Sequence, residues 1–592
     1  MARLLPALCA LLGAETASAY QNFEVAVYCR AQEVAQMRDP AWLEREWATI
    51  SGAVHVDKVY LEVHRDGVMP DPATLEAAKA FFAARGVRTA GGITYTISEP
   101  NRFETFSYST PAHRQRARAI AEFAARHFDE VILDDFFFTS AKSATDIEAR
   151  GNRSWTDFRL KLMSEAGRNL VVGPAKKVNP RVRVIIKYPN WYEHFQGLGF
   201  DLASGPRIFD GIYTGTETRD AVRSAQHLQP YHGYSIMRYF ENLAPGRNGG
   251  GWVDPFASGG YARYAEQLWL TLFAKSGRQV ALFDWRSITQ PLAARGDPLT
   301  AVQAAGRAFE AVDATLATLG RPLALKSYKP FHSVGEDHLQ SFLGMIGLPM
   351  EIVPGFPGDE PVVLLTESAA ADPGIVRKIE THVRSGRSVV ITSGLLRALQ
   401  PRGIGRIAEI EHTGRVALFS QFLTGFQLTD GNQPILIPQL AYRTNDSWEL
   451  VSAIAGDNGW PLLHDADYGG GHLFVLTVPE NFSDFYQYPA QPLNEIRRVL
   501  TPHLPVRIEA PAKVSLFAYD NGTFIVHNFT DESVSVTAVF ARRPASVNDL
   551  RSGDAMEVAT RQVPARGITP ASESALVRFD VPAHSFRAFR QQ

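Results

Sequence analysis

The chain has 592 residues, 60 Lys+Arg against 62 Asp+Glu, a formal net charge of −2, and 45% hydrophobic and 11% aromatic residues. At about 100–200 residues per domain, this length demands more than one core. Near-neutral charge excludes an electrostatic footprint for nucleic acid or anionic lipid. The hydrophobic content excludes a largely disordered chain, and two cysteines exclude a disulfide scaffold or a Cys-rich zinc module.

The first predicted element is a secretory signal peptide over residues 1–19. Arg3 precedes an apolar run from Leu4 to Gly13, and Ala17-Ser18-Ala19 supplies a small-x-small cleavage site. The run is shorter than the roughly 20 residues that span a bilayer, and no later segment is long and apolar enough for a membrane span. The expectation is export to the periplasm or the medium. Cys9 would leave with the peptide, and Cys29 would remain as a lone thiol.

From 20 to 322 short apolar runs alternate with longer amphipathic ones. Strands are predicted over Phe23–Arg30, Lys58–Arg65, Arg88–Thr96, Glu130–Phe138, Val182–Tyr188, Gly211–Gly215, Gly233–Tyr239 and Gln279–Trp285. Helices are predicted between most of them, for example Pro72–Arg85, His113–His127, Trp155–Val171 and Tyr261–Ser276, and Leu299–Leu319 follows the last strand. Alternation of this kind makes parallel strands with crossover helices, and eight repeats fit one (β/α)₈ TIM barrel. A doubly wound open sheet is the rival, but no G-x-G-x-x-G follows the first strand.

A barrel of this type works at the C-terminal ends of its strands. The predicted ends carry Glu62, His64 and Tyr95, then Asp134-Asp135, then Lys187, Tyr188, Asn190 and Trp191. Later ends carry Glu217, then Arg238, Tyr239 and Glu241, and finally Asp284 and Trp285. Carboxylates and aromatics at one mouth suit a carbohydrate substrate. Apolar sugar faces stack on rings, and hydroxyls take hydrogen bonds from charged and amide groups. Tyr188, Trp191, Tyr239 and Trp285 are the expected stacking rings, and Lys187, Arg238 and Asp284 the expected hydroxyl or uronate binders.

The run Val131-Ile-Leu-Asp-Asp-Phe-Phe-Phe-Thr139 is the sharpest signal. Two adjacent carboxylates at the end of an apolar strand are costly unless paired or used. Side chains alternate along a strand, so both reach the mouth only if the strand has already ended. Like charges this close raise at least one pKa, as a general acid at neutral pH requires. The bland alternative is a helix cap or an ion pair with Arg or Lys. The three phenylalanines read as core packing.

An Asp-Asp followed by aromatics at this place resembles TIM-barrel glycoside hydrolases, among them uncharacterised glycosyl-hydrolase-like bacterial barrels with a D-D-Y/F-F-Y run. It is also similar to the family 84 hexosaminidases, in which neighbouring aspartates orient the substrate acetamido group and act as general acid. The resemblance implies catalysis by Asp134 and Asp135, and a glycosidic bond canonically needs a second carboxyl group. Glu217 is the first choice for acid/base, with Glu241 and Asp284 in reserve. No H-E-x-x-H, P-loop, G-x-S-x-G or C-x-x-C occurs, so neither a metal nor a cofactor is implied. The glycines of Pro245–Trp252 suit a mobile loop, with Trp252 folding over a bound sugar, and equally a passive turn.

Residues 323–503 change rhythm: strands over Leu323–Phe331, Met350–Val353, Pro361–Thr366 and Ser388–Thr392, helices over His338–Ile346, Pro373–Ser385 and Pro492–Leu500. A small α/β domain after a sugar-cleaving barrel resembles the amidotransferase-like middle domain of family 42 β-galactosidases. The region contains no nucleophilic cysteine, so packing or homo-oligomer assembly is its expected role. That family carries Asn-Glu where this chain has Asp-Asp. Residues 504–592 alternate apolar and polar around turns such as Asp520-Asn521-Gly522 and read as a β-sandwich. A glycoside hydrolase is the preferred reading. An inactive barrel that only binds carbohydrate, and a polysaccharide lyase using Lys187 or Arg238, are the rivals.

Overall fold

The computed structural model describes residues 17–292, 298–563 and 572–592. Nearly all of the predicted signal peptide lies outside the described residues. Eight parallel strands close a barrel: β1 (Glu24–Cys29), β2 (Lys58–His64), β3 (Arg88–Ile93), β4 (Glu130–Leu133), β5 (Arg183–Tyr188), β6 (Gly211–Gly215), β7 (Asn248–Val253) and β8 (Gln279–Phe283). Closure is between β1 and β8, with Val27 opposite Leu282 on one side and Val59 on the other. The strands are buried along almost their whole length, because helices cover the outside and side chains fill the inside. Ala26, Tyr28, Tyr60, Ala90, Ile132, Ile185, Tyr213, Trp252 and Ala281 fill the interior as one cluster.

One predicted strand is corrected. Gly233–Tyr239 lies in a helix, His232–Leu243, and the seventh strand is Asn248–Val253, overlapping the segment read as a loop. The helix is wedged between the barrel and the next domain, so Tyr234, Ile236, Met237, Tyr239 and Phe240 are all buried and its polar Arg238 and Asn242 bond Glu351 of that domain. The glycines of β7 answer to crowding. A Cβ on Gly250 would lie 2.1 Å from Gln279 O, and one on Gly251 2.2 Å from Thr271 Cγ2.

After the barrel, Pro322–Leu323 adds an edge to a sheet of the C-terminal sandwich by pairing with Val514–Tyr519. The chain then enters a nine-stranded mixed sheet. Met350–Val353, Leu325–Tyr328, Val362–Leu365, Ser388–Thr392 and Gly471–Leu476 run parallel. Four long antiparallel strands, Asn458–Tyr468, Ser447–Ala455, Ile410–Thr424 and Gln427–Tyr442, continue it. The C-terminal region is two sheets of five and four strands around a shared apolar core, with Gly522 at φ 79° in the turn between Val514–Tyr519 and Thr523–Asn528.

Both later regions pack on the barrel through named contacts. Arg238 Nε donates to Glu351 Oε1 at 2.6 Å, and Met350 N donates to the Tyr231 hydroxyl at 2.9 Å. His338 Nε2 lies 2.7 Å from Glu193 Oε2. On the sandwich side, His584 Nδ1 lies 3.0 Å from Glu266 Oε1, and the Tyr519 hydroxyl donates to Phe273 O at 2.9 Å. Among the described residues no helix is long and apolar enough to cross a membrane.

Candidate active site

A cavity of about 800 Å³ opens at the C-terminal mouth of the barrel, lined by the ends of strands β1 to β8 and the loops after them. Its floor is built on Arg65, which follows β2 and is 2% exposed. Arg65 Nη2 donates to Asp134 Oδ2 at 2.6 Å and to Thr94 Oγ1 at 2.8 Å, Nε donates to Glu62 Oε2 at 2.9 Å, and Nη1 donates to Glu99. Glu62 is further held by the Tyr28 hydroxyl at 2.6 Å and Ala31 N at 2.7 Å. Every acceptor site of Glu62 is thus occupied, and the residue anchors the arginine rather than facing substrate.

Strand β4 ends at Leu133, so Asp134 and Asp135 leave the alternation of the sheet and both reach the cavity. The two differ in their surroundings. Asp134 Oδ1 accepts from Asp135 N at 2.9 Å while Oδ2 takes the Arg65 contact. Burial opposes its charge, but Lys187 and Arg65 outweigh that and hold its pKa below the ordinary value. For Asp135, burial is the largest effect; Lys187 offsets part of it, and the charges of Asp134 and Glu217 add to it, leaving the carboxyl pushed up to about 7.

Lys187, at the end of β5, joins the group. Its Nζ is 2.7 Å from Asp135 Oδ2, 2.8 Å from Glu217 Oε1 and 3.6 Å from Asp134 Oδ1. Burial works against the ammonium, but the three carboxylates prevail and raise its pKa, keeping it charged. It also lies 4.6 Å from the centroid of the Trp252 ring on β7. Two contacts to one nitrogen place Asp135 Oδ2 and Glu217 Oε1 no farther apart than their combined length, about 5.5 Å. Glu217 is fixed locally by backbone packing: Asn190 Nδ2 donates to Glu217 O at 2.7 Å, and a Cβ on Gly215 would stand 2.5 Å from Glu217 Oε2.

Of the residues predicted from sequence, Asp134, Asp135, Lys187, Asn190, Trp191 and Glu217 line this cavity. The others do not. His64 Nδ1 donates to Thr94 O at 2.7 Å, and burial pushes its pKa down to about 4, so it is neutral. Tyr95 donates to Ala117 O at 3.1 Å in the core, and Tyr188 stacks on Phe240 with centroids 4.8 Å apart. Because their segment is a helix outside the barrel, Arg238 pairs with Glu351, Tyr239 packs against Tyr192, and Glu241 accepts from Gly246 N. Asp284 caps a helical turn by accepting from Ser287 N at 2.9 Å and pairs with Arg30 at 3.0 Å. Trp285 is fully buried on Trp47.

Several lining residues escaped sequence reading. Asp254 directly follows β7 and is clamped by Arg219 through contacts of 3.0 and 2.6 Å. Burial nevertheless dominates and raises the Asp254 pKa. Correct placement of the seventh strand is the signal that would have found it, as it stands at a strand end like Asp134. Phe136, Phe138, Phe256 and Phe283 also line the cavity, whereas Phe137 alone of the triplet packs wholly in the core.

Residues 13–327 match the family model described as probable glycosyl hydrolase, catalytic domain, and residues 505–591 the corresponding C-terminal domain. Residues 320–481 match the second domain of the uncharacterized protein SSO3021. That protein, from Saccharolobus solfataricus, is 24% identical over 550 residues, covering 84% of this chain and 89% of its own length. Three solved structures share the fold. The β-galactosidase of Bacillus circulans sp. alkalophilus has TM-score 0.62 at 11% identity, covering 97% of this chain and 99% of that one. Gan42B, a GH42 β-galactosidase, has TM-score 0.63 at 10% identity, covering 98% and 100%. The α-L-fucosidase isoenzyme 2 of Paenibacillus thiaminolyticus has TM-score 0.61 at 11% identity, covering 97% and 100%. With more than half its length matched by the catalytic-domain model, and with charged side chains gathered at the mouth of a closed eightfold barrel, the chain belongs to the probable glycosyl hydrolase family.

Proposed function

We propose that the protein cleaves O-glycosidic bonds of an oligo- or polysaccharide with retention of configuration, Asp135 serving as general acid/base and Glu217 as nucleophile. One observation carries this reading: the two carboxyl groups meet at the single Lys187 ammonium. Retaining glycosidases hold their carboxyl groups about 5–5.5 Å apart, while inverting enzymes leave about 6.5–9.5 Å for a water. Asp135 Oδ2 and Glu217 Oε1 lie within about 5.5 Å of each other, close enough for the retaining arrangement.

Asp135, pushed up to about 7, holds a proton at neutral pH for the departing glycosidic oxygen. As the carbon–oxygen bond breaks, a Glu217 oxygen bonds to the anomeric carbon. The Asp135 carboxylate then takes a proton from water, whose oxygen displaces Glu217 and releases the sugar. The Lys187 ammonium sits beside both groups and offsets the negative charge they bring together. A substrate-assisted role for Asp134 is disfavoured because Arg65 and Asp135 N already occupy its two oxygens. Export to the periplasm or medium, no resident cofactor, and self-association through the middle region complete the proposal.

Azide rescue on an activated aryl glycoside tests the assignment. Glu217→Ala should yield a glycosyl azide of inverted configuration, and Asp135→Ala one of retained configuration. The opposite pattern reverses the roles. Wild type that turns over no glycoside in a broad panel removes the hydrolytic reading altogether.

A further inference from the structure

Four aromatic rings form a continuous wall that starts beside the reacting carboxylates and ends in solvent. Phe136 directly follows Asp135, and the Arg65 guanidinium lies 5.9 Å from its centroid. On one side Phe136 stacks on Phe103 with centroids 5.8 Å apart and planes at 21°. On the other it stacks on Phe138 at 6.1 Å and 30°, and Phe138 meets Trp191 edge-on at 5.8 Å. All four line the same cavity.

Phe103 is the unusual member. It is 58% exposed at the rim, on the tip of a small hairpin between Thr96–Ser98 and Glu104–Thr105. Arg102 and Phe103 both adopt φ 54°, a left-handed conformation that disfavours residues with a Cβ. The loop therefore accepts backbone strain to hold an apolar ring in water beside a cavity whose floor is ionic. Arg102 lines the cavity next to it and makes no ion pair among the described residues. A flat apolar ring with a hydrogen-bond donor beside it is the chemistry that recognises a pyranose: C–H face on the ring, hydroxyls on the guanidinium.

We propose that Phe103, Phe136, Phe138 and Trp191 form a binding track for sugar units adjoining the one that is cleaved, with Phe103 and Arg102 as its outermost platform. The ligand is thus a glycan of two or more units, and the track selects chain length. This rests on the hydrolytic reading for its kinetic form, while the binding form stands by itself.

The kinetic test compares wild type, Phe103→Ala and Phe103→Trp on a mono-, di- and trisaccharide series of the sugar that wild type cleaves, with the monosaccharide supplied as its glycosyl fluoride so that no aryl group can occupy the track. Wild type should gain in kcat/KM with each added unit. Phe103→Ala should lose about tenfold in the ratio of trisaccharide to fluoride turnover, and Phe103→Trp should retain the gain. Equal ratios in wild type and Phe103→Ala overturn the track and leave the hydrolytic reading intact. Should wild type cleave nothing, that reading fails by itself, and an array of neutral and acidic oligosaccharides becomes the probe. Binding of chains of two or more units, weakened about tenfold in Phe103→Ala, supports the track, and binding of none, or equal binding, overturns it.

Discussion

The Lys187 ammonium stands 2.7 Å from Asp135 Oδ2 on the cavity wall, yet the Asp135 carboxyl is pushed up rather than down. The nearest cation is outweighed by burial together with the charges of Asp134 and Glu217. Lys187 therefore limits how far Asp135 rises. Lys187→Met should move the basic limb of the pH–rate profile above about 7 and leave Glu217 without its ion-pair partner, costing about 3–5 kcal/mol of stability. A pH–rate profile with a denaturant titration measures both; an unmoved or lowered limb contradicts the account.

The pH dependence of wild type follows with a definite sign. A general acid works while protonated, so kcat/KM should fall as pH rises through about 7, the Asp135 value. Asp135→Asn should abolish that limb and cost about 10²–10⁴-fold in rate, with Tm little changed. Persistence of the limb in Asp135→Asn would assign it elsewhere.

Gly215→Ala probes the nucleophile proposed here, Glu217, without replacing it. The added Cβ would lie 2.5 Å from Glu217 Oε2 and 3.3 Å from Asn190 N, so the glutamate must shift. Displacements near 1 Å at a reacting group cost about 10²-fold. The expected outcome is a loss of that order in kcat with a folded protein by circular dichroism; near-normal turnover would place Glu217 outside the chemistry.

Arg238→Ala should separate architecture from chemistry. The variant strands Glu351, 4% exposed, where the barrel meets the nine-stranded sheet. Removing one partner of a buried pair costs about 3–5 kcal/mol. Unfolding should shift by that amount while KM at permissive temperature stays put. A selective rise in KM would restore Arg238 to the substrate.

Glu266 ties the barrel to the sandwich. Burial opposes its charge, but hydrogen bonds from His527 and His584, with Arg263 nearby, hold its carboxyl at about 2. A depressed folded pKa stabilises above the ordinary carboxylate value and is lost as pH falls toward the folded value. The Tm difference between wild type and Glu266→Gln should be full near pH 6 and shrink from about pH 4.5 downward. A difference independent of pH would show the residue acts by packing alone.

Residue order alone determined the barrel, the sandwich and the placing of polar residues at the ends of strands four, five and six, where they line the cavity. Periodicity and apolar runs are local properties, and Asp134, Asp135, Lys187 and Glu217 each sit where a legible element stops. Only tertiary structure decided the seventh strand. In a helix buried on two sides the apolar run Tyr234–Phe240 reads as a short buried strand, and Asn248-Gly-Gly-Gly-Trp-Val carries too few side chains to read as one. With that strand misplaced, Asp254 and its partner Arg219 were invisible, and Arg238, Tyr239 and Glu241 were drawn toward a mouth they do not reach. Likewise no local pattern tells which aspartate of the doublet Arg65 captures. That choice is made only when β2 and β4 come to flank β3 in the curved sheet.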